Sequence, residues 1–149
     1  MIIIDESTKP RAFLHTSREY LQAYTVLKEN DPKPTELYLV KFYLLCHSVE
    51  LSLKAYLRLR GHEIKELRSR EVGHDLFEML KICNVQHNFV LSPGYTEVIK
   101  VVSTYYKSKE YEYFPQGDQL LIDIDILEEI AILLVKIIGA RIFEEAKTG

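Results

Sequence analysis

Residues 37 to 61, LYLVKFYLLCHSVELSLKAYLRLRG, decide the fold of this chain. The stretch has no proline, and no glycine before Gly61, and its apolar side chains recur at helical spacing. At about 100° of rotation per residue, these side chains form one broad arc and a second, narrower arc. A helix that is apolar on two sides is usually contacted by several neighbours. The stretch therefore predicts a long helix at the centre of an all-α domain.

The same stretch carries a line of ionisable side chains. His47, Glu50, Lys54 and Arg58 follow one another at spacings of three, four and four residues. Residues three and four apart share one face of a helix, so these groups form a single stripe between the apolar arcs. Glu50 precedes Lys54 by four residues, which is the favourable order for an ion pair within a helix.

Length and composition limit the class of protein. The 149 residues predict one domain, 1–149, with its core over about residues 16–146. Nineteen basic and 22 acidic residues leave a net charge of −3, which argues against a nucleic-acid binder that works by bulk charge but leaves a local basic patch open. Two cysteines in apolar contexts are typical of buried thiols in a reducing compartment. Without a secretory signal or a long apolar span, a cytoplasmic protein with no membrane contact is expected.

Turn and cap residues divide the rest of the chain into further helices. Ser17 and Thr35 are placed to cap two of them, and Ser92-Pro93 is a typical start of another. No alternating strand pattern or internal repeat is present. The sequence predicts an antiparallel, up-and-down bundle of four long helices plus a short extra helix. Apart from the central one, the predicted helices span about 17–29, 63–68 (a short turn), 74–85, 92–106 and 123–146.

The stripe needs polar partners if neighbouring helices cover it, because a lone desolvated charge is costly. His74 and Asp75, at the predicted start of a later helix, are the natural candidates. One interpretation is a buried polar network that fixes how two helices meet. The other is a binding surface. We favour the structural interpretation, with the binding surface as the alternative.

A metal site is not predicted. His47-x-x-Glu50 is similar to the spacing in di-iron bundles, but those sites take carboxylates from four helices and use Glu-x-x-His pairs. This chain has one pair, in reverse order, and Lys54 on the same stripe would repel a cation. No P-loop, HExxH, CxxC or glycine-rich dinucleotide motif occurs, so no cofactor is predicted either.

A third group of side chains suits RNA chemistry. Histidine can move a proton to or from a 2′-hydroxyl, and arginine can stabilise the charge that grows on phosphate. Arg68, Arg70 and His74 lie close together in the sequence, and exposed tyrosines can stack on unpaired bases. The alternative is that the arginines only solvate a loop and that His74 caps a helix. The candidate stacking residues are Tyr105, Tyr106, Tyr111, Tyr113 and Phe114.

HSVELSLKAYLRLRG followed by GHDLFEML resembles the HEPN domains of bacteria and archaea. The resemblance covers roughly residues 16 to 146 and rests on three elements. The first is His47, Glu50 and Lys54 with the Ala55-Tyr56-Leu57 that follows. The second is Gly73-His74-Asp75-Leu76, and the third is the aromatic-proline segment Tyr113-Phe114-Pro115.

The resemblance implies a helical bundle, a homodimer, and a setting among toxin–antitoxin or defence systems with a cognate antitoxin or nucleotidyltransferase partner. Many HEPN proteins are metal-independent ribonucleases with an R-x4–6-H motif, and Arg68 and His74 satisfy that spacing while Arg70 does not. The family's motif usually lies in a later helix. We therefore expect a non-catalytic module that dimerises or binds a partner, RNA or a nucleotide through His47, Glu50, Lys54, Asp75, Tyr111 and Tyr113. The alternative is a ribonuclease with Arg68 and His74 as its catalytic residues.

Overall fold

The structure, a computed structural model, describes residues 6–33, 36–108 and 122–148. Every regular element within these ranges is helical, which confirms the all-α prediction. A 3₁₀ turn, Glu6–Thr8, comes first. The α-helices that follow are α1 (Pro10–Asn30), α2 (Tyr38–Leu59), α3 (Ile64–Leu67), α4 (Leu76–His87), α5 (Pro93–Ser108) and α6 (Ile124–Thr148).

Helix α2 occupies the centre of the described part of the fold. It packs against α1, α4, α5 and α6, as its two apolar arcs predict. The side chains of Phe42, Leu45, Val49, Leu53 and Leu57 are completely buried on it. They belong to one apolar cluster to which α1, α4, α5 and α6 also contribute. The broad arc is buried almost throughout, while Leu44 and Leu51 of the narrower arc are only partly buried.

The contacts at the helix ends give the directions of the helices. Ser17 of α1 meets Ser48 of α2, and Lys41 of α2 meets Asp31 just after α1, so these two helices run in opposite directions. Lys28 of α1 pairs with Glu128 near the start of α6. Helices α4 and α5 are also opposed, since Asp75 before α4 contacts residues near the end of α5.

Helix α1 begins earlier than the sequence predicts. Pro10 stands in its first turn, where a missing backbone N–H costs nothing, and the helix then continues to Asn30. Ser17, the predicted cap, lies inside the helix and is fully buried. Its hydroxyl donates to the Ser48 carbonyl at 2.6 Å. The prediction was wrong because a helix–helix contact, and not a helix terminus, uses this serine.

The bounds of α2 also differ slightly from the quoted stretch. Leu37 has φ 51° and precedes the helix, while the predicted cap Thr35 lies outside the described residues. At the other end, Gly61 has φ +96°, a conformation that favours glycine. The Gly61 N–H donates to the Arg58 carbonyl and the His62 N–H to the Leu57 carbonyl, which is a Schellman motif. The predicted stop at Gly61 is confirmed.

Lys41 is unusually deeply buried for a lysine. Only 2% of it is exposed. Its ammonium donates to the carbonyls of Asp31 at 2.6 Å and Lys33 at 2.9 Å. The lysine therefore satisfies backbone groups where the chain leaves α1, and it fixes the connection between the first two long helices.

Both cysteines, Cys46 and Cys83, are buried free thiols, as predicted. Burial raises the pKa of each.

No helix within the described ranges is long and apolar enough to cross a membrane.

Candidate functional site

The site is built around the carboxylate of Glu50 in the middle of α2. Glu50 is 4% exposed, yet its two oxygens receive three hydrogen bonds. Oε2 accepts from the Lys54 ammonium at 3.1 Å, one helical turn later. Oε1 accepts from Nδ1 of His74 at 2.7 Å and from the Tyr106 hydroxyl at 2.7 Å. One buried charge thus joins α2, the segment before α4, and α5.

Tyr106 extends this network to His47. Its hydroxyl oxygen lies 2.8 Å from His47 Nδ1. A tyrosine hydroxyl has one proton, and here that proton is donated to Glu50. His47 must therefore carry its proton on Nδ1 and donate it to Tyr106. The ring of His47 packs on Tyr20 with the centroids 5.0 Å apart, so α1 also contacts the network.

The electrostatics fit this assignment. Burial alone raises the pKa of Glu50, but the Lys54 charge and the hydrogen bonds from His74 and Tyr106 outweigh it, so the pKa is lowered. Burial and the adjacent Glu50 carboxylate raise the pKa of Tyr106 far above its ordinary value. Burial lowers the pKa of His47. Near neutral pH the network therefore holds an ionised Glu50, a protonated Tyr106 and a neutral His47.

His74 differs from the other members because its side chain is 66% exposed. The turn before it depends on Gly73, which has φ +29° and at which a Cβ would come within 2.9 Å of the Ser69 carbonyl oxygen. With Nδ1 fixed by Glu50, Nε2 on the opposite side of the ring forms no hydrogen bond with another described residue. The structure therefore presents an imidazole at the surface in a fixed orientation and tautomer.

Asp75 belongs to a second, adjacent network. It caps α4 by accepting from the Glu78 N–H at 3.0 Å, as a predicted helix start requires. The same carboxylate accepts from the Ser103 hydroxyl at 2.9 Å and from the Lys107 ammonium at 3.1 Å. Burial raises the pKa of Asp75, but these hydrogen bonds and the Lys107 charge outweigh it and lower the pKa. Asp75 thus ties the start of α4 to the end of α5, next to His74.

Within the described residues, the arginines form no hydrogen bond with the Glu50 network. Arg58, the last member of the stripe, donates to the carbonyls of Thr8 at 2.9 Å and His62 at 3.1 Å, so it fixes loops instead of joining Glu50. Arg68 is exposed at the end of α3, and Arg70 is exposed in the turn that follows. Among the described residues, no hydrogen bond or ion pair connects Arg68 with His74.

Two predicted binding residues, Tyr111 and Tyr113, lie outside the described residues. Tyr106, grouped with them as a stacking candidate, is 5% exposed and cannot offer its ring to a base. Sequence spacing predicts no site role for Ser103 or Lys107 and does not identify Tyr106 as the link between His47 and Glu50. The second tyrosine of Tyr105-Tyr106 could have indicated this link, because a buried tyrosine requires a hydrogen-bond partner for its hydroxyl.

The arrangement can do two things chemically. A neutral His74 can accept a proton at Nε2, and a protonated His74 can donate a hydrogen bond to an anion. Histidine and lysine side chains around an ionised carboxylate offer no cation site here. In the described ranges, no three His, Cys, Asp or Glu side chains are arranged to hold a metal ion.

Comparison of the chain with protein-family models, with curated proteins and with solved structures finds no match in any of the three.

Proposed function

We propose that this chain is a HEPN-like helical module that binds a phosphate-bearing ligand, a nucleotide or an RNA strand, at the surface around His74 without cleaving it. One observation carries the proposal. An exposed imidazole is held at Nδ1 by a carboxylate that is itself almost completely buried. A polar network that served only to join helices would gain little from a side chain that is two-thirds exposed.

The charges near His74 favour an anionic ligand. Lys54 already balances the charge of Glu50, so a protonated His74 adds net positive charge at the surface. Lys107, 51% exposed, lies beside Asp75 in the adjacent network. Arg68 and Arg70 are exposed in the connection that leads to His74. Phosphate oxygens are the acceptors that such groups bind best.

The finer description of the fold is part of the same proposal. We assign α1, α2, α5 and α6 as the four long helices of an antiparallel, up-and-down HEPN-like bundle, with α4 as the shorter extra helix. The opposed directions of α1 and α2 support it. The homodimer, the nucleotidyltransferase or antitoxin partner and the toxin–antitoxin setting stay predictions from the resemblance.

Fluorescence anisotropy with a labelled adenine nucleotide and a labelled single-stranded RNA tests the binding. We expect the wild type to bind at least one of them, with affinity falling as salt is added. His74→Ala should weaken binding about tenfold or more, because a hydrogen bond to a charged group contributes roughly 1.5–3 kcal/mol.

His15→Ala is the matched control for this experiment. His15 is 75% exposed and also pairs with a glutamate, Glu19, at 3.1 Å, but it lies on α1 outside the network. We expect this variant to bind like the wild type. Equal affinities for the His74 and His15 variants, or a wild type that binds neither probe, would contradict the proposal.

A ribonuclease is the second candidate, favoured by the same pairing of His74 with a buried carboxylate. Such a carboxylate fixes the tautomer in which Nε2 is free to accept a proton from a 2′-hydroxyl. The five residues between Arg68 and His74 satisfy the spacing of the HEPN motif. Glu50 would then act as a positioning residue, and Arg68 would stabilise charge on the phosphate.

If the chain is a ribonuclease, it should cleave single-stranded RNA in the presence of EDTA. His74→Ala should abolish cleavage, and Arg68→Ala should reduce it strongly. Arg70→Ala changes another exposed arginine, one that does not fit the spacing, and should leave the rate unchanged. Gel analysis of RNAs of varied sequence provides the measurement. A wild type that leaves all of them intact would exclude this second candidate.

A further inference from the structure

A second pair of histidines lies apart from the Glu50 network. Nε2 of His62 and Nε2 of His87 are 2.7 Å apart. The rings meet at 86° with their centroids 5.0 Å apart, so each nitrogen points at the other. Two neutral imidazoles at this distance share one proton, with one ring donating and the other accepting. The pair belongs to none of the sequence motifs described above, and the proposed function does not use it.

The backbone holds both histidines in place. His62 is the residue whose N–H closes the Schellman motif at the end of α2. His87 is the last residue of α4, and Asn88 after it adopts the left-handed conformation with φ 55° that ends the helix. Two helix termini therefore meet at this point. A helix C-terminus carries partial negative charge, which favours a cation nearby.

Glu66 determines which nitrogen of His62 is protonated. Both of its carboxylate oxygens lie close to His62 Nδ1, at 2.9 and 3.0 Å. An ionised carboxylate only accepts hydrogen bonds, so Nδ1 carries the proton and Nε2 presents its lone pair to His87. A carboxylate behind a histidine is the arrangement found around metal-bound imidazoles, where it fixes the ring and makes its other nitrogen more basic.

We propose that His62 and His87 bind one late divalent transition-metal ion, Zn²⁺ in particular, through their two Nε2 atoms. Zinc bonds of about 2.0–2.1 Å in a tetrahedral arrangement place two nitrogens roughly 3.3 Å apart. The two nitrogens therefore need to move apart by about 0.6 Å from their present 2.7 Å, and each ring has to turn by roughly 35° so that both lone pairs point at the ion and not at each other. The proton on His87 Nε2 leaves, and His87 takes one at Nδ1 instead. Water completes the coordination.

The surrounding charges are compatible with a cation. Two arginines lie nearby. Arg58 donates to the His62 carbonyl at 3.1 Å, and both terminal nitrogens of Arg60 are bound by Glu145, at 3.0 and 3.1 Å. Its guanidinium also lies over the ring of Tyr56, 5.2 Å from the centroid. Tyr56 in turn packs edge-on against His87. Glu145 thus offsets part of the charge of Arg60, and Glu66 contributes negative charge behind His62.

Isothermal titration calorimetry of the EDTA-treated chain with ZnCl₂ tests the proposal. MgCl₂ should not bind, since imidazole nitrogen is a poor ligand for Mg²⁺. We expect saturable binding of Zn²⁺. His62→Gln and His87→Gln should each weaken it about 100-fold or more. Glu66→Gln should weaken it roughly 10- to 100-fold. His15→Gln, which changes an exposed histidine paired with a glutamate but without a second histidine, should change nothing.

Imidazole ¹⁵N chemical shifts of the wild type provide a readout that needs no variant to fold. Zn²⁺ should move the Nε2 signals of His62 and His87 and leave the Nδ1 proton of His62 in place. Zinc binding that survives the loss of both histidines would place the ion elsewhere and overturn the proposal. The opposite result is a wild type whose ¹⁵N signals do not move and that gives no heat of binding at about millimolar zinc. It would show that His62 and His87 form only a hydrogen bond. Neither result would bear on nucleotide or RNA binding at His74.

Discussion

Replacing Glu50 by alanine should lower the free energy of unfolding by about 3–5 kcal/mol, the usual cost of breaking a buried ion pair. The substitution removes the acceptor of three hydrogen bonds at once. Lys54, a residue that is 8% exposed, then keeps a charge with no carboxylate to balance it. Tyr106 loses the acceptor at 2.7 Å that holds α5 on α2. His74 contributes less, because water can replace a partner for an exposed ring.

Urea denaturation followed by circular dichroism measures this loss. The control is Glu19→Ala, which removes an exposed glutamate from its pair with His15 and should change stability by no more than about 0.5 kcal/mol. If Glu50→Ala does not fold, Tyr106→Phe tests the same network, with an expected loss of about 1–3 kcal/mol. Losses below about 1 kcal/mol for both substitutions would show that the network stabilises nothing.

The pH dependence of the free energy of unfolding tests the role of the Glu50 charge independently. The pKa of Glu50 in the fold lies below the ordinary value of 4.5 that applies to the unfolded chain. Its contribution to stability is therefore complete above about pH 4.5 and is lost as the pH falls through the folded pKa. Wild type and Glu50→Gln should accordingly converge in stability on acidification. A difference that stayed constant to low pH would mean that the charge of Glu50 is not what matters.

Local pattern was enough to predict the parts of the fold that depend on spacing. The helical period of residues 37–61 predicts α2 and its central position, and Gly61 and Ser92-Pro93 mark helix ends that the structure confirms. The placing of His47, Glu50 and Lys54 on one face follows from the same period. These features are set by neighbours within a few residues along the chain, so sequence spacing reports them directly.

Contacts between distant residues were not predictable in the same way. Tyr106 lies 56 residues after Glu50, and on its own helix it occupies a position of the apolar face. Ser17 is of a residue type that commonly caps helices, but in the fold it makes a packing contact with Ser48. His62 and His87 are 25 residues apart, and only the ends of two helices bring them together. In each case the side chain could take several structural roles, and its neighbours in the tertiary structure determine which role it has.

Phe42→Ala should lower the free energy of unfolding by about 3–5 kcal/mol, because it leaves a cavity that the surrounding helices cannot fill completely. The ring of Phe42 is fully buried on α2. It stacks on Tyr38 at 6.2 Å and meets the edge of Tyr43 at 5.4 Å, measured between centroids. For a domain of this size the loss corresponds to a fall in melting temperature of about 10 °C. Differential scanning calorimetry measures it.

Phe143→Ala deletes the same group of atoms from a ring that is 62% exposed on α6. That ring contacts the Lys147 ammonium, 4.4 Å from its centroid, at the surface, so its removal should cost about 0.5 kcal/mol or less. Because both substitutions change helix propensity in the same way, the difference between them measures burial alone. Equal losses would contradict the central position of α2. A large loss confined to Phe42 would show that the apolar arcs of this helix hold the bundle together, with the Glu50 network fixing how it is packed.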